Sequence, residues 1–378
     1  MSDNLEDLFE KKVSKLKQQQ RKRLVKIVGV LLLIIFIFIG FANNTRLFNK
    51  PTPPVVKSPW PWKDRQTIHP SVANMPSKVE TSIKSVAEYI AQQESDPYLR
   101  IKALHDYVVS RVTYDLDVLK TAKRPPQDAE TVFHTHIAVC EGYANLFRAL
   151  GRSLNMDVEY IKGKIRKDLA PLDLIPPTKI IFNPQYDWTL HAWNAVKVLD
   201  NWQLVDTTWD DSTSSDTSYN ANYLMLPPEA MIVSHFPEQS HWQLLHLTQD
   251  KIAFEKKPIL TPEFFAEELV LISPNEHQTN VQKVAVIRIK SPVNYQQKIV
   301  AVFTKTQAQS FLDLFLRKSN QFAEETRRQD LKLCQSQRNA QGETQISCQF
   351  QERGDYQVFV YSIGRKNLAI AQFKFHAA

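Results

Sequence analysis

The order of periodicities along this 378-residue chain predicts an α+β protein: one transmembrane helix, then helices leading into strands, then a C-terminal antiparallel β-sandwich. Three observations carry that expectation. Residues 27–42 form an uncharged, largely apolar run of sixteen; apolar residues between 76 and 154 recur at three- and four-residue steps; and from about residue 192 the pattern turns to alternation at period two.

Residues 1–23 read as a basic cytoplasmic tail and 24–42 as the membrane anchor. The first 26 residues hold eight Lys/Arg against four Asp/Glu, and Arg21-Lys22-Arg23 abuts the apolar run, so the positive-inside rule leaves the N-terminus in the cytoplasm. The run, extended by Leu24 and Val25 past Lys26, is near the lower limit for a span. A cleaved signal peptide is the rival reading, with Gly40-Phe41-Ala42 as the cleavage site, but the basic segment is long for that and the run exceeds the usual signal core. Both readings send the rest of the chain outside, to a periplasmic or extracellular space.

Residues 43–75 read as a linker, because Pro51, Pro53, Pro54, Pro59, Pro61 and Pro70 favour extended backbone and forbid regular helix. Trp60 and Trp62 lie within it, at the membrane interface or packed on the first helix, and their distance from the apolar run favours packing. The next expected unit spans 76–255. Val79, Ile83, Val86 and Ile90 share one helix face, and Asp96-Pro97 caps a helix carrying Ile101, Leu104, Val108 and Val112. Ala144, Phe147, Leu150 and Leu154 then place Cys140 on the first turn of an amphipathic helix. Alternation in residues 192–199 marks a strand, and the polar stretch 212–222 reads as a loop beside the site.

Short strands are expected in 262–378, at 284–289, 298–303, 331–334, 345–350, 356–361 and 368–375, with a helix over 311–327. Cys334 and Cys348 flank a turn at 339–342, so they face each other across a hairpin, either bridged or as two reduced buried cysteines. A bridge leaves Cys140 as the odd thiol.

Charge excludes one class of partner. Residues 1–50 carry +6 of the net +7, which leaves 37 basic and 36 acidic residues beyond and no field to attract a phosphate backbone. Eight glycines leave no phosphate-cradling loop, and no cofactor is expected. His134 and His136 near Cys140 lack a second ligand pair of recognisable spacing, so no metal is expected either.

Cys140 at a helix start, His191 opening a strand and Asp206 on the next strand have the chemistry of a thiol nucleophile, its base and the base's orienter. The helix dipole and a neighbouring imidazolium both favour the thiolate. The residues Val139-Cys140-Glu141-Gly142-Tyr143-Ala144, His191-Ala192-Trp193-Asn194 and Val205-Asp206-Thr207-Thr208-Trp209 resemble the transglutaminase-like superfamily of papain-type thiol enzymes. The segments around Tyr223-Leu224-Met225-Leu226 and His235-Phe236-Pro237 are similar to its kyphoscoliosis-peptidase branch. The resemblance implies catalytic roles for Cys140, His191 and Asp206, and a peptide or protein substrate for a cysteine peptidase or acyltransferase. A non-catalytic scaffold on the same fold is the alternative.

Strand register stays open at this level. A two-residue turn at Asp200-Asn201 would set Asp206 opposite Ala195 and Asp210 opposite His191. The alternatives are a loop beginning nearer Val198, a bulge, or Asp210 as the orienter; the resemblance places the carboxylate at Asp206. One oxyanion donor is expected at the Cys140 N–H, with a second from within or before 132–136.

Overall fold

The computed structural model describes residues 58–378, except 116, 119–123, 167–189, 212–218, 307–330 and 365–367. The expected tail and anchor, the linker as far as residue 57 and the expected helix at 311–327 lie outside the described residues. Among the described residues no helix is long and apolar enough to cross a membrane.

Among the described residues, four helices of seven residues or more precede the main sheet, after a single turn at Pro70–Ala73, and each of the four begins where its sequence supplies a cap or a tight approach. In α1, Ile83–Gln93, Ser82 and Ser85 form a reciprocal capping pair, and Ile83, Val86, Ala87 and Ile90 are buried. Asp96 caps α2, Pro97–Arg111, by accepting from the Tyr98 and Leu99 N–H groups ahead of a first-turn proline. Asp128 caps α3, Ala129–Thr135. The fourth, α4, Cys140–Ser153, has no side-chain cap.

The sheet beside these helices has five strands: β1, Val158–Ile165; β2, Leu190–Val198; β3, Asn201–Val205; β4, Leu224–Leu226; and β5, His235–Pro237. Their spatial order is β4-β3-β2-β1-β5 with antiparallel neighbours. Residues of α1, α2, α4 and the sheet form one continuous apolar core. Asn194 on β2 fastens α4 to that sheet, its amide donating to Ala144 O and Glu159 O at 3.1 Å each.

Part of the expected linker belongs to this body. Trp60 and Trp62 are buried in the same apolar core as Ile83, Val86 and Ile90, and their indole N–H groups donate to Asn222 O and Leu224 O beside the β4 edge. Burying two indoles outweighs what proline-rich composition suggests about free chain.

The C-terminal part is a two-sheet sandwich over its own core of Ile287, Ile289, Ile346, Cys348, Val358, Val360 and Phe373, among others. One sheet is ordered Gln335–Arg338, Glu343–Gln349, Val284–Lys290, Val270–Ser273; the other joins Gln278–Val281, Leu368–Ala377, Gly354–Ile363, Lys298–Lys305 and Lys332–Leu333. The expected all-antiparallel pattern fails at one place, where Gln278–Val281 runs parallel to Leu368–Ala377. That strand reaches the sheet edge by a switch from the other sheet, and without a hairpin its direction is not forced. Cys334 and Cys348 are joined in a disulfide directly outside the hairpin that pairs Gln335 with Ser347.

Candidate active site

Cys140 stands at the first residue of α4, half-buried and the free cysteine of the three. Its approach is held tightly: Val139 N–H donates to the Gln127 side-chain oxygen at 2.9 Å, and Gln127 O accepts from Asn145. A Cβ at Gly142 would lie 2.6 Å from Ala138 Cβ and 2.7 Å from Gln127 Oε1, so only glycine lets the helix start this close to the strand before it.

Of the alternatives that the sequence left open for the histidine–carboxylate register, the structure takes the loop beginning nearer Val198 rather than the Asp200-Asn201 turn. Leu199 and Asp200 form the two-residue turn, with φ of 46° and 65°, and β2 and β3 pair Asn194 with Val205 and Val198 with Asn201. Positive φ at both central residues is the twist a tight hairpin needs, here adopted by a leucine. The consequence is a two-residue shift. Continued past Val205, this register brings Asp206 to the level of Trp193, and His191 becomes its diagonal neighbour, within side-chain reach.

His191 Nε2 lies 2.6 Å from Asp206 Oδ2, and Cys140 is near enough to the imidazole to help raise its pKa. The structure thus brings the three expected residues together. Asp206 is fully buried, and its Oδ1 accepts from the N–H groups of Thr208 and Trp209 at 2.9 and 3.2 Å. Burial opposes charge on His191, but the Asp206 carboxylate and then Cys140 outweigh it and hold the imidazolium up to about 10. Burial likewise works against the Asp206 charge, and His191 and His235 overcome it, keeping the carboxyl well below its usual range.

His235, which the sequence reading quoted only as part of a motif, is the residue it missed. Its Nε2 lies 2.9 Å from the same Asp206 Oδ2, and its Nδ1 lies 2.8 Å from Ser234 Oγ. Burial pushes His235 down to about 4 despite the Asp206 hydrogen bond. Trp193, Trp209 and Tyr223 close round it, with ring centroids 5.1, 4.4 and 5.7 Å from the imidazole.

His191, Asp206 and His235 bring ligand-type atoms within 4.8 Å of one another. Both histidine nitrogens nevertheless point at one carboxylate oxygen at hydrogen-bond distance, which is the geometry of two N–H donors sharing an acceptor. His134 lies exposed in the last turn of α3 and His136 is its left-handed cap.

Asp210, the rival orienter, belongs to a second cluster. It is buried, accepts from Asn222 N and Tyr223 N, and lies 3.1 Å from His105 Nε2. His105 Nδ1 is 2.9 Å from Asp106, which also takes Lys102 Nζ at 2.5 Å, the His69 N–H at 2.7 Å and the Tyr219 hydroxyl. Tyr219 and Asn222 are buried at the end of the stretch expected as a loop. Tyr114, paired with Ala138 just before the cysteine, has its hydroxyl raised above the ordinary range by burial and then by Cys140.

Residues 84–207 match the family model described as the Transglutaminase-like superfamily. The chain is 26% identical over 202 residues to the kyphoscoliosis peptidase of Mus musculus and 26% identical over 201 residues to that of Homo sapiens. Each match covers 52% of this chain and 29% of the relative. The chain therefore spans well under half the length of those relatives. A solved protein of Cytophaga hutchinsonii, described as a candidate cysteine protease, is 16% identical, covers 42% of this chain and 50% of its own, and superposes at a TM-score of 0.26. Residues 84–207 are thus a transglutaminase-like superfamily domain, and the chain is similar to the kyphoscoliosis peptidases over about 200 residues.

Proposed function

We propose that the chain is a membrane-anchored thiol enzyme that cleaves or transfers acyl groups on peptide or protein substrates, with Cys140 as nucleophile, His191 as base and acid, and Asp206 as orienter. The observation that carries this reading is the imidazole of His191 held between a free thiol at a helix start and a buried carboxylate.

The chemistry follows from that arrangement. Asp206 accepts the Nε2 proton, which leaves Nδ1 as the nitrogen that takes the thiol proton. The Cys140 thiolate attacks the substrate carbonyl, and the charge developing on oxygen meets the N–H groups at the start of α4. Collapse of the tetrahedral intermediate breaks the C–N bond while the His191 imidazolium protonates the leaving amine, and a thioester remains on Cys140. Water or a second amine, deprotonated by His191, then releases the acyl group.

The anchor in this reading rests on the basic residues before 27–42 and the uncharged run itself. A reporter fused after Ala378 should be active only outside the cytoplasm, and an N-terminal tag should stay with the membrane fraction.

Iodoacetamide tests the thiol. Cys140 in the full chain should alkylate near pH 6 at least about tenfold faster than an unfolded cysteine, whose pKa is about 8.5, with Cys140→Ala as the blank. A rate equal to that of the unfolded cysteine would leave the non-catalytic scaffold.

A further inference from the structure

His235 lies in the three-residue strand β5, on the far side of β1 from His191, yet both imidazoles end on the same oxygen. An ionised carboxylate can only accept, so each Nε2 facing Asp206 Oδ2 carries a hydrogen. Burial disfavours charge on His235, and in the neutral ring with Nε2 donating Nδ1 is the acceptor, facing the Ser234 hydroxyl 2.8 Å away. His235 is 1% exposed and its two ring nitrogens are both engaged. It has no nitrogen left for a substrate or for Cys140.

We propose that His235 is a positioning residue for the thiol site, a neutral imidazole whose Nε2–H holds Asp206 ionised and aimed at His191. The inference rests on the thiol reading above. Asp206 Oδ1 is served by two backbone N–H groups, whereas Oδ2 is served only by imidazoles among the contacts described. Remove His235 Nε2–H and Oδ2 faces His191 alone in a dry site. A buried carboxylate with fewer donors takes up a proton more readily, and the nearest proton is the one on His191. Once Asp206 is neutral, no charge on the side away from Cys140 holds the His191 imidazolium.

The aromatic wall supports a donor held in place. Trp193, Trp209 and Tyr223 pack on His235, and a Cβ at Gly163 would lie 2.3 Å from the Trp193 ring, so β1 is shaped to seat that indole. The imidazole has little freedom to swing away from Asp206.

The test is the pH profile of Cys140 alkylation by iodoacetamide in the full chain, compared among wild type, His235→Leu and His235→Gln. Leucine fills the space without a donor; glutamine places an N–H near the Nε2 position. The rising limb of His235→Leu should move up toward the free-thiol value, with the rate at pH 6 falling about tenfold to a hundredfold, as expected for one hydrogen bond to a buried charge. His235→Gln should recover most of that loss. A wild-type Cys140 that is fast while His235→Leu is equally fast overturns the inference and leaves the thiol reading standing. A wild type no faster than an unfolded cysteine overturns both. Should His235→Leu fail to fold, imidazole nitrogen NMR on the wild type decides: His235 is expected as the neutral Nε2–H form from pH 5 to 8, and titration of that ring near its ordinary 6.5 overturns the proposal.

Discussion

Asp206 and Asp210 sit four residues apart on one segment, and each is buried against a histidine, but the two clusters they anchor are built to different ends. In the first, His191 spends one nitrogen on Asp206 and keeps the other for a half-buried thiol. In the second, His105 faces carboxylates on both sides, and Asp106 is saturated by Lys102, Tyr219, His69 and His105. Burial, charge pairing and shifted ionisation occur in both. A ring nitrogen left over for a nucleophile occurs only in the first among the contacts described, and that spare valence, more than a perturbed pKa, marks the candidate site.

The comparison can be broken most forcefully from the structural side. Asp106→Asn removes the charge that balances Lys102 and His105 inside the core, and should cost about 3–5 kcal/mol of folding stability by denaturant titration. Cys140 alkylation in whatever fraction stays folded should be unchanged. A stable Asp106→Asn protein with a slow thiol would mean that the two clusters act as one.

The sandwich offers a control remote from both clusters. Replacing Cys334 and Cys348 by serine opens a loop with a sequence separation of 14, which costs about 3 kcal/mol in the chain-entropy account. Thiol reactivity at Cys140 should not move, and a change there would tie the sandwich to the site.

A smaller effect should appear in the pH dependence of stability. Burial raises Asp210 to about 6, against the pull of His105. A carboxyl whose folded value lies above its unfolded one binds its proton more tightly when folded. Its contribution is therefore full below about pH 4 and lost as pH rises through 6, up to about 3 kcal/mol. Asp210→Asn should flatten the denaturation midpoint between pH 4 and 6; an unchanged slope would show that Asp210 is ionised throughout.

Much of this was legible in the chain because the rules involved are local. Helical spacing and the cap at Asp96 announced the helices, and the turn between Cys334 and Cys348 announced their pairing. The register stayed open because a leucine at positive φ violates turn preference, and only the packed sheet selects it. His235 went unread as a site residue because a three-residue strand carries almost no periodic signal and its partner is 29 positions away. Asp210 was legible only as a rival orienter; the three partners that bury it, His105, Asn222 and Tyr223, are set by the fold. That Trp60 and Trp62 pack was legible from their distance to the apolar run; their carbonyl partners at Asn222 and Leu224 were not, because those lie 162 positions away.

The central claim is that Asp206, and not Asp210, governs the thiol. The direct measurement is the rate of Cys140 alkylation against pH in Asp206→Asn and Asp210→Asn, side by side with wild type and with folding checked by circular dichroism. The account predicts that wild type is reactive well below pH 8.5, that Asp206→Asn loses about a hundredfold at pH 6 as the imidazolium is no longer held, and that Asp210→Asn keeps the wild-type rate while losing stability. A fast thiol in Asp206→Asn together with a slow one in folded Asp210→Asn would contradict it.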